Sequence, residues 1–108
     1  MIQKSFIEVD GRPMARVSFI LPNGTWAHEI SLVGDFNGWN TSSHRLEHTQ
    51  EGTWMITVDL ERNRSYQFRY LRDGDWINDG QADAYVHNRL GSDNFIVITD
   101  PQFRPHHG

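Results

Sequence analysis

The feature that most constrains the fold of this chain is an alternation of apolar and polar side chains with a period of two. Successive side chains of a β-strand point to opposite faces, so this alternation predicts strands that are buried on one side. In one of these segments Tyr66, Phe68 and Tyr70 share a face, opposite to Gln67 and Arg69. The predicted strands cover residues 15–21, 30–32, 54–60, 66–72, 76–77 and 94–99.

Glycine-containing dipeptides separate these segments, and most of them are Asn-Gly or Asp-Gly. Both pairs accommodate the left-handed backbone of tight turns. Frequent turns between short strands are typical of an antiparallel β-sandwich, and residues 81–84 have room for one helical turn at most. The dipeptides lie at 23–24, 37–38, 51–52, 73–74, 79–80 and 90–91.

A chain of 108 residues has the size of one domain. We expect the folded domain to span 1–100 and residues 101–108 to form a frayed tail, since a proline follows Asp100. The chain has no cysteine, no cationic and apolar leader, and no apolar run near the roughly 18 residues of a membrane span. These features favour the cytoplasm and exclude disulfide or thiolate sites.

The charge pattern narrows the class of ligand. The net charge is −4, and the 10 basic residues are scattered among 14 acidic ones. Nucleic-acid surfaces need clustered Lys and Arg, so a neutral ligand is favoured. Single-stranded nucleic acid stays open as a minor alternative, because aromatic side chains also stack on bases.

Two tryptophans follow turn sequences, where core packing gives a large ring little reason to lie. Trp39 closes the motif VGDFNGW over residues 33–39, and Trp76 follows the turn DGD over 73–75. Trp54, by contrast, lies inside an alternating strand. An indole offers a rigid apolar face with a polar N–H at its rim. Two such rings in turns predict a surface that binds sugars.

Four motifs together carry a resemblance to a known family. VGDFNGW at 33–39, YQFRYLRDGDW at 66–76, ND at 78–79 and LGSDN at 90–94 occur in this order. They resemble the family 48 carbohydrate-binding modules, which include the glycogen-binding domain of the AMP-activated protein kinase beta subunit and the early-set domains of isoamylases, pullulanases and branching enzymes. Small stand-alone bacterial early-set proteins are the most similar. The resemblance implies an all-β, immunoglobulin-like (early-set) β-sandwich.

The resemblance also implies which residues bind carbohydrate. Trp39 and Trp76 would stack on glucose rings, and Leu90 would lie against the curved face of an α-1,4-glucan. Polar contacts to sugar hydroxyls would come from Arg69, Ser92 and Asn94. The strand pattern agrees independently on Arg69, which it places near the turn that carries Trp76.

Each of these assignments has a structural interpretation that the sequence leaves open. Either tryptophan could cover the edge of the sandwich, and Phe36 is interpreted as a core residue. Arg69 could form an ion pair with a neighbouring Asp, Leu90 could anchor its loop in the core, and Asn94 could cap its own turn.

The sequence gives no support to an enzyme. Hydrolysis of a glycosidic bond needs two facing carboxyl groups, one of them held protonated by an apolar site. The candidates Asp73, Asp75, Asp79 and Asp83 follow one another in hydrophilic turns. Asp35 and Asp73 are interpreted as turn residues.

No metal or cofactor site is predicted either. His44 and His48 are four residues apart, but their segment is loop-like and shows no third ligand. The sequence therefore predicts non-catalytic binding of α-1,4-glucan, with a glycogen- or starch-metabolising enzyme as a further partner. The alternative is a protein-interaction module of the same fold.

Overall fold

A computed structural model describes residues 1–77, 82–87 and 93–104 of the chain, with the backbone alone at Asp93. These residues form β-strands and one short 3₁₀ turn, Asp35–Asn37. The strands in chain order are β1 Ile2–Val9, β2 Arg12–Leu21, β3 Ile30–Gly34, β4 Glu47–His48, β5 Trp54–Glu61, β6 Ser65–Arg72, β7 Asp75–Ile77, β8 Ala84–His87 and β9 Asp93–Ile98.

The strands form two antiparallel sheets that pack face to face. One sheet has the order β1-β2-β5-β4, and the other has the order β3-β6-β9-β8, with β7 paired to the end of β6. Side chains from both sheets meet in one core, where the rings of Phe19 and Phe68 lie 5.0 Å apart, edge to face. This architecture confirms the predicted β-sandwich.

The alternation of apolar and polar residues predicted six of the nine strands formed by the described residues. Strands β2, β3, β5, β6, β7 and β9 all lie where the sequence placed them. The buried members of β2 are the apolar ones, from Ala15 to Leu21, as the period of two requires. Strands β1, β4 and β8 were not predicted, and all three lie at sheet edges.

Strand β1 escaped prediction because a charged residue lies on its inward face. Lys4 pairs with Val17, a core residue of β2, so its side chain points toward the sandwich interior. The Lys4 ammonium lies 2.6 Å from a carboxylate oxygen of Asp83, and the two side chains are only 17% and 10% exposed. The same Asp83 oxygen accepts the backbone N–H of Ile98. This ion pair therefore joins the outer strand of one sheet to the other sheet.

Phe103, beyond the last strand, contacts the sandwich, since the Lys4 ammonium lies 5.1 Å from the centre of its ring. The rest of the predicted tail, 105–108, lies outside the described residues. The boundary of the domain at residue 100 therefore stays a prediction. Within the part of the chain that the structure describes, no helix is long and apolar enough to cross a membrane.

Candidate functional site

The candidate site lies on the outward face of the five-stranded sheet, centred on β6. Phe68 and Tyr70 of β6 are buried in the core, so the alternate residues Gln67, Arg69 and Leu71 point away from it. The strand register places Trp76 opposite Leu71. We call this surface, made by Trp39, Gln67, Arg69, Trp76 and Asn94, the β6 face.

Trp76 is held on the β6 face by a two-residue hairpin. Asp73 and Gly74 have φ of 48° and 86°, the left-handed pair that an Asp-Gly hairpin turn requires. The guanidinium carbon of Arg69 lies 5.1 Å from the centre of the Trp76 ring, which is a cation–π contact. The indole remains 44% exposed. Trp76 is thus fixed in orientation while one side of the ring is open to a ligand.

Besides its contact with Trp76, Arg69 has a guanidinium nitrogen that is buried in the β6 face. Val33, its cross-strand neighbour, is fully buried although it points outward. The Nε of Arg69 is buried and has no hydrogen-bond partner among the described residues. The alternative of an ion pair with a neighbouring Asp finds no support there, since no described carboxylate lies within 4.0 Å of the Arg69 guanidinium.

Trp39 reaches the β6 face through a strained backbone. It follows the 3₁₀ turn with a φ of 60°, a conformation that bulky residues rarely adopt. Its indole N–H donates to Asp35 Oδ1 at 3.0 Å, and Asp35 Oδ2 accepts the backbone N–H of Gln67 at 2.7 Å. Asp35 therefore ties the indole of Trp39 to β6. Asp35 was predicted only as a turn residue, and the structure adds this contact with Trp39.

The turn before Trp39 is fixed from inside. The Asn37 side chain accepts the N–H of Gly34 at 3.1 Å and donates to the carbonyl of Leu32 at 3.0 Å. Phe36 packs its ring against Phe19, with the centroids 6.1 Å apart. Phe36 is thus a core contact, and Trp39 is the aromatic residue of this motif left for the surface.

Asn94 completes a row of polar groups across the sheet. Its side-chain amide donates to Gln67 Oε1 at 3.0 Å. Gln67 thereby connects Asn94 on β9 with Asp35 and Trp39 beyond β3. The described bond of Asn94 thus crosses between strands and differs from the turn cap that the sequence left open for this residue. Four of the six predicted residues lie on one face, and the remaining two, Leu90 and Ser92, lie outside the described residues.

The sequence patterns did not indicate Gln67 or Asp35 as parts of this surface. Gln67 could have been found, because the period of two places it on the same face as Arg69. The contact of Asp35 with Trp39 depends on the 3₁₀ turn, which no sequence pattern predicted. Trp26, in the loop between β2 and β3, was also missed, and it is 79% exposed.

Two of the four candidate glycosidase carboxylates, Asp73 and Asp83, are bound to other groups of the protein. Asp73 accepts the backbone N–H groups of Glu29 and His28 at 2.8 and 3.0 Å, and these bonds lower the pKa of its carboxyl. The stabilising contribution of this carboxylate is therefore present above its unfolded pKa and is lost as the pH falls through the lowered value. Asp83 is paired with Lys4, and Asp79 lies outside the described residues.

The two histidines with helix-like spacing do not converge. His44 Nδ1 lies 3.0 Å from the side-chain nitrogen of Asn37, whereas the ring of His48 stacks on Trp54 at 4.4 Å. Among residues 1–77, 82–87 and 93–104 there is no group of three or more His, Cys, Asp or Glu that could hold a metal ion.

Replacing Asp35 with Asn tests whether the carboxylate positions the Trp39 ring. The Asn side chain keeps one acceptor and turns an amide toward an N–H group, so one of the two bonds is lost. We expect glucan affinity to fall several-fold while the free energy of unfolding falls by about 1 kcal/mol. Calorimetric titration and urea unfolding measure the two effects. Unchanged affinity would show that Asp35 only shapes the turn.

A β-sandwich with two indoles, a guanidinium and two amides on one sheet face has the architecture of a carbohydrate-binding module. Residues 22–96 match the carbohydrate-binding module 48 family, described as the isoamylase N-terminal domain. The chain belongs to this family. The resemblance predicted from the four sequence motifs is confirmed.

The relatives are larger proteins that contain a similar segment. The chain is 40% identical to a 1,4-alpha-glucan branching enzyme of Paraburkholderia xenovorans over 63% of this chain and 9% of the relative. It is 30% identical to a chloroplastic phosphoglucan phosphatase of Arabidopsis thaliana over 84% of this chain and 15% of the relative. A branching enzyme of Dictyostelium discoideum is 51% identical over 34% of this chain and 6% of its own length. The chain thus spans at most about a sixth of these relatives.

Proposed function

We propose that this domain binds α-1,4-glucan chains of the glycogen or starch type on the β6 face, without hydrolysing them. The observation that carries the proposal is the state of Trp76, which is oriented by Arg69 yet 44% exposed. A ring held in place loses little entropy when a flat apolar sugar face stacks on it. The strained φ of Trp39 supports the same interpretation, since strain of this kind gathers at binding sites.

The polar groups of the β6 face suit a hydroxylated ligand. Gln67 and Asn94 offer amide donors and acceptors, and Arg69 offers guanidinium N–H groups beside the Trp76 ring. The Arg69 guanidinium lies over one face of the Trp76 ring, and the amides of Gln67 and Asn94 lie on the same sheet face as Arg69. Family resemblance adds Leu90 and Ser92 to this surface as proposed contacts.

Binding without turnover is the proposed mode because the β6 face brings no pair of carboxyl groups to the ligand among the described residues. Asp35, which joins Trp39 to β6 beside that surface, accepts two hydrogen bonds. A general acid must keep a proton at neutral pH, which needs an apolar site or a nearby like charge. Asp35 is exposed, and both of its carboxylate oxygens accept hydrogen bonds from the protein.

Titration with maltoheptaose, β-cyclodextrin and glycogen, followed by tryptophan fluorescence, tests the proposal. A shallow surface with two stacking rings predicts dissociation constants on the order of micromolar to millimolar, tighter for cyclic or polymeric glucans. Cellohexaose, a β-linked glucan with an extended chain, is the matched control and should bind more weakly. Absence of binding to every α-glucan at millimolar concentration would refute the proposal.

A second assay addresses hydrolysis. We expect no reducing ends above a buffer control when the protein is incubated with amylose, pullulan and glycogen, because the β6 face presents no facing pair of carboxyl groups among the described residues. Release of reducing ends that disappears in Asp79→Asn or Asp83→Asn, with the fold intact by circular dichroism, would overturn the binding-only mode.

We also propose that the domain acts beside an enzyme of glycogen or starch metabolism, in the cytoplasm. The branching enzymes and the phosphoglucan phosphatase that contain a similar segment support this partner class. A protein-interaction module is the second candidate, and the exposed Tyr85 and Val86 on the edge strand β8 favour it. The interaction-module candidate predicts that a protein partner co-purifies with the domain and still does so after Trp76 is replaced.

A further inference from the structure

The most exposed large apolar side chain of the described residues lies outside the β6 face. Trp26 is in the loop of residues 22–29 between β2 and β3, and 79% of it is open to solvent. A single exposed hydrophobic residue is common on protein surfaces. An exposed indole in a loop that is held rigidly next to a binding face is a different case.

The loop is fixed at both sides of Trp26. The carbonyl of Thr25 accepts the indole N–H of the buried Trp54 at 3.1 Å. The backbone N–H groups of His28 and Glu29 donate to the Asp73 carboxylate at 3.0 and 2.8 Å. These bonds hold the backbone that carries Trp26.

The indole itself also has a defined neighbour. The ring of His28 packs edge-on against Trp26, with the centroids 5.6 Å apart and the planes at 73°. A contact of this kind orients the indole and covers little of its area, as the 79% exposure shows. Trp26 therefore resembles Trp76 in one respect, since each indole is oriented by one neighbouring side chain and remains open to a ligand.

One residue joins the loop to the β6 face. Asp73, which binds the loop, opens the turn of the β6–β7 hairpin, and Trp76 follows three residues later. Summing the chain lengths through Asp73 at 3.3–3.6 Å per residue places the Cα atoms of Trp26 and Trp76 within about 25 Å. An oligosaccharide of several glucose units spans this distance.

We propose that Trp26 is a further glucan-binding residue, so that an α-glucan chain covering Trp76 continues past the β6–β7 turn onto the Trp26 indole. Because Trp26 is assigned to the same ligand as the β6 face, the assignment rests on the proposed function. We expect a neutral ligand here, because the loop presents an apolar ring and the acidic groups beside it, Asp73 and Glu29, contact the loop amides and Arg45 respectively.

Trp26→Ala should separate long from short glucans. Loss of one stacking contact weakens binding about 3- to 10-fold for glycogen and maltoheptaose. Maltotriose, too short to cover both sites, should bind the variant within about twofold of the wild type. Calorimetric titration of both proteins with the three ligands measures the effect. Trp26→Phe, which keeps a flat ring, should restore most of the lost affinity.

Acrylamide quenching gives a readout that a purely structural role would not move. Trp26 is the most accessible indole of the described residues, so it dominates the quenching of the free protein. Maltoheptaose should protect most of the quenchable emission of the wild type, whereas maltotriose, which does not reach Trp26, should leave the quenching of Trp26 in place. Phe6→Ala, which removes an exposed ring from strand β1, serves as the control and should bind every glucan as the wild type does.

Several results would overturn the assignment, and they differ from one another. If the wild type binds maltoheptaose and Trp26→Ala binds it equally well, Trp26 is not a contact, while the proposed function stands. An equal loss for maltotriose and maltoheptaose would show that Trp26 only supports the loop. A wild type that binds no α-glucan would refute both proposals, and loss of self-association in Trp26→Ala by sedimentation would reassign the residue to a protein contact.

Discussion

Trp76→Ala is expected to abolish measurable glucan binding while lowering the free energy of unfolding by about 1 kcal/mol. The ring is 44% exposed and stacks on Arg69, so its removal leaves no cavity in the core. Stacking on the open face of this indole is the main apolar contact that the β6 face offers a sugar. Calorimetric titration with maltoheptaose and urea unfolding measure the two quantities.

Trp54→Ala is the matched core variant, and it should cost roughly 3–5 kcal/mol. Trp54 is 5% exposed, and the ring of His48 stacks on it with an interplanar angle of 4°. Its indole N–H also holds the carbonyl of Thr25. The tryptophan interpretation fails if Trp76→Ala unfolds the domain as severely as Trp54→Ala does, because Trp76 would then be a core residue.

Gly34→Ala is expected to lower the free energy of unfolding by about 3 kcal/mol, since overpacking a tight contact costs in this range. A Cβ at this position would lie 2.5 Å from the backbone oxygen of Gln67 and 2.9 Å from the Cβ of Phe68. The backbone of Gly34 is extended, so the cost comes from the close approach of β3 to β6. A displacement of β3 that relieves this contact would also move Asp35 and Trp39, so glucan affinity should fall as well.

Gly38→Ala provides the contrast. Gly38 has a φ of 64° with open space around the added carbon, so the variant meets only the left-handed strain, about 1–2 kcal/mol. Urea unfolding of both variants compares the two causes. If Gly34→Ala costs no more than Gly38→Ala, the sheet can relax around the added methyl group and the close approach is not a constraint.

Much of the sandwich was predictable because a strand that is buried on one face has apolar and polar residues in alternation. Ala15, Val17 and Phe19 alternate with less buried residues, and this alternation alone is enough to predict β2. The three strands that the sequence did not predict, β1, β4 and β8, contain no fully buried residue. In β1 the inward position of Lys4 depends on Asp83, a partner 79 residues away, and no local pattern reports such a pair.

The candidate site divides in the same way. Trp39, Arg69, Trp76 and Asn94 were predicted from motifs and family resemblance, and the structure places them on one face. Their roles toward a ligand stay predictions. The connections among them, such as the bond from Asn94 to Gln67, involve residues far apart in the chain and needed the folded structure.

By itself the sequence determined the β-sandwich, the turns and the residue types available to a ligand, because these follow from local periodicity and turn chemistry. Only the tertiary structure decided which groups meet. The strand register set Trp76 opposite Leu71, next to Arg69, and the Asp35 carboxylate joined Trp39 to β6. Asp73 likewise brought the Trp26 loop to the same hairpin. Contacts between distant segments depend on how the sheets pair and pack, which a local pattern does not encode.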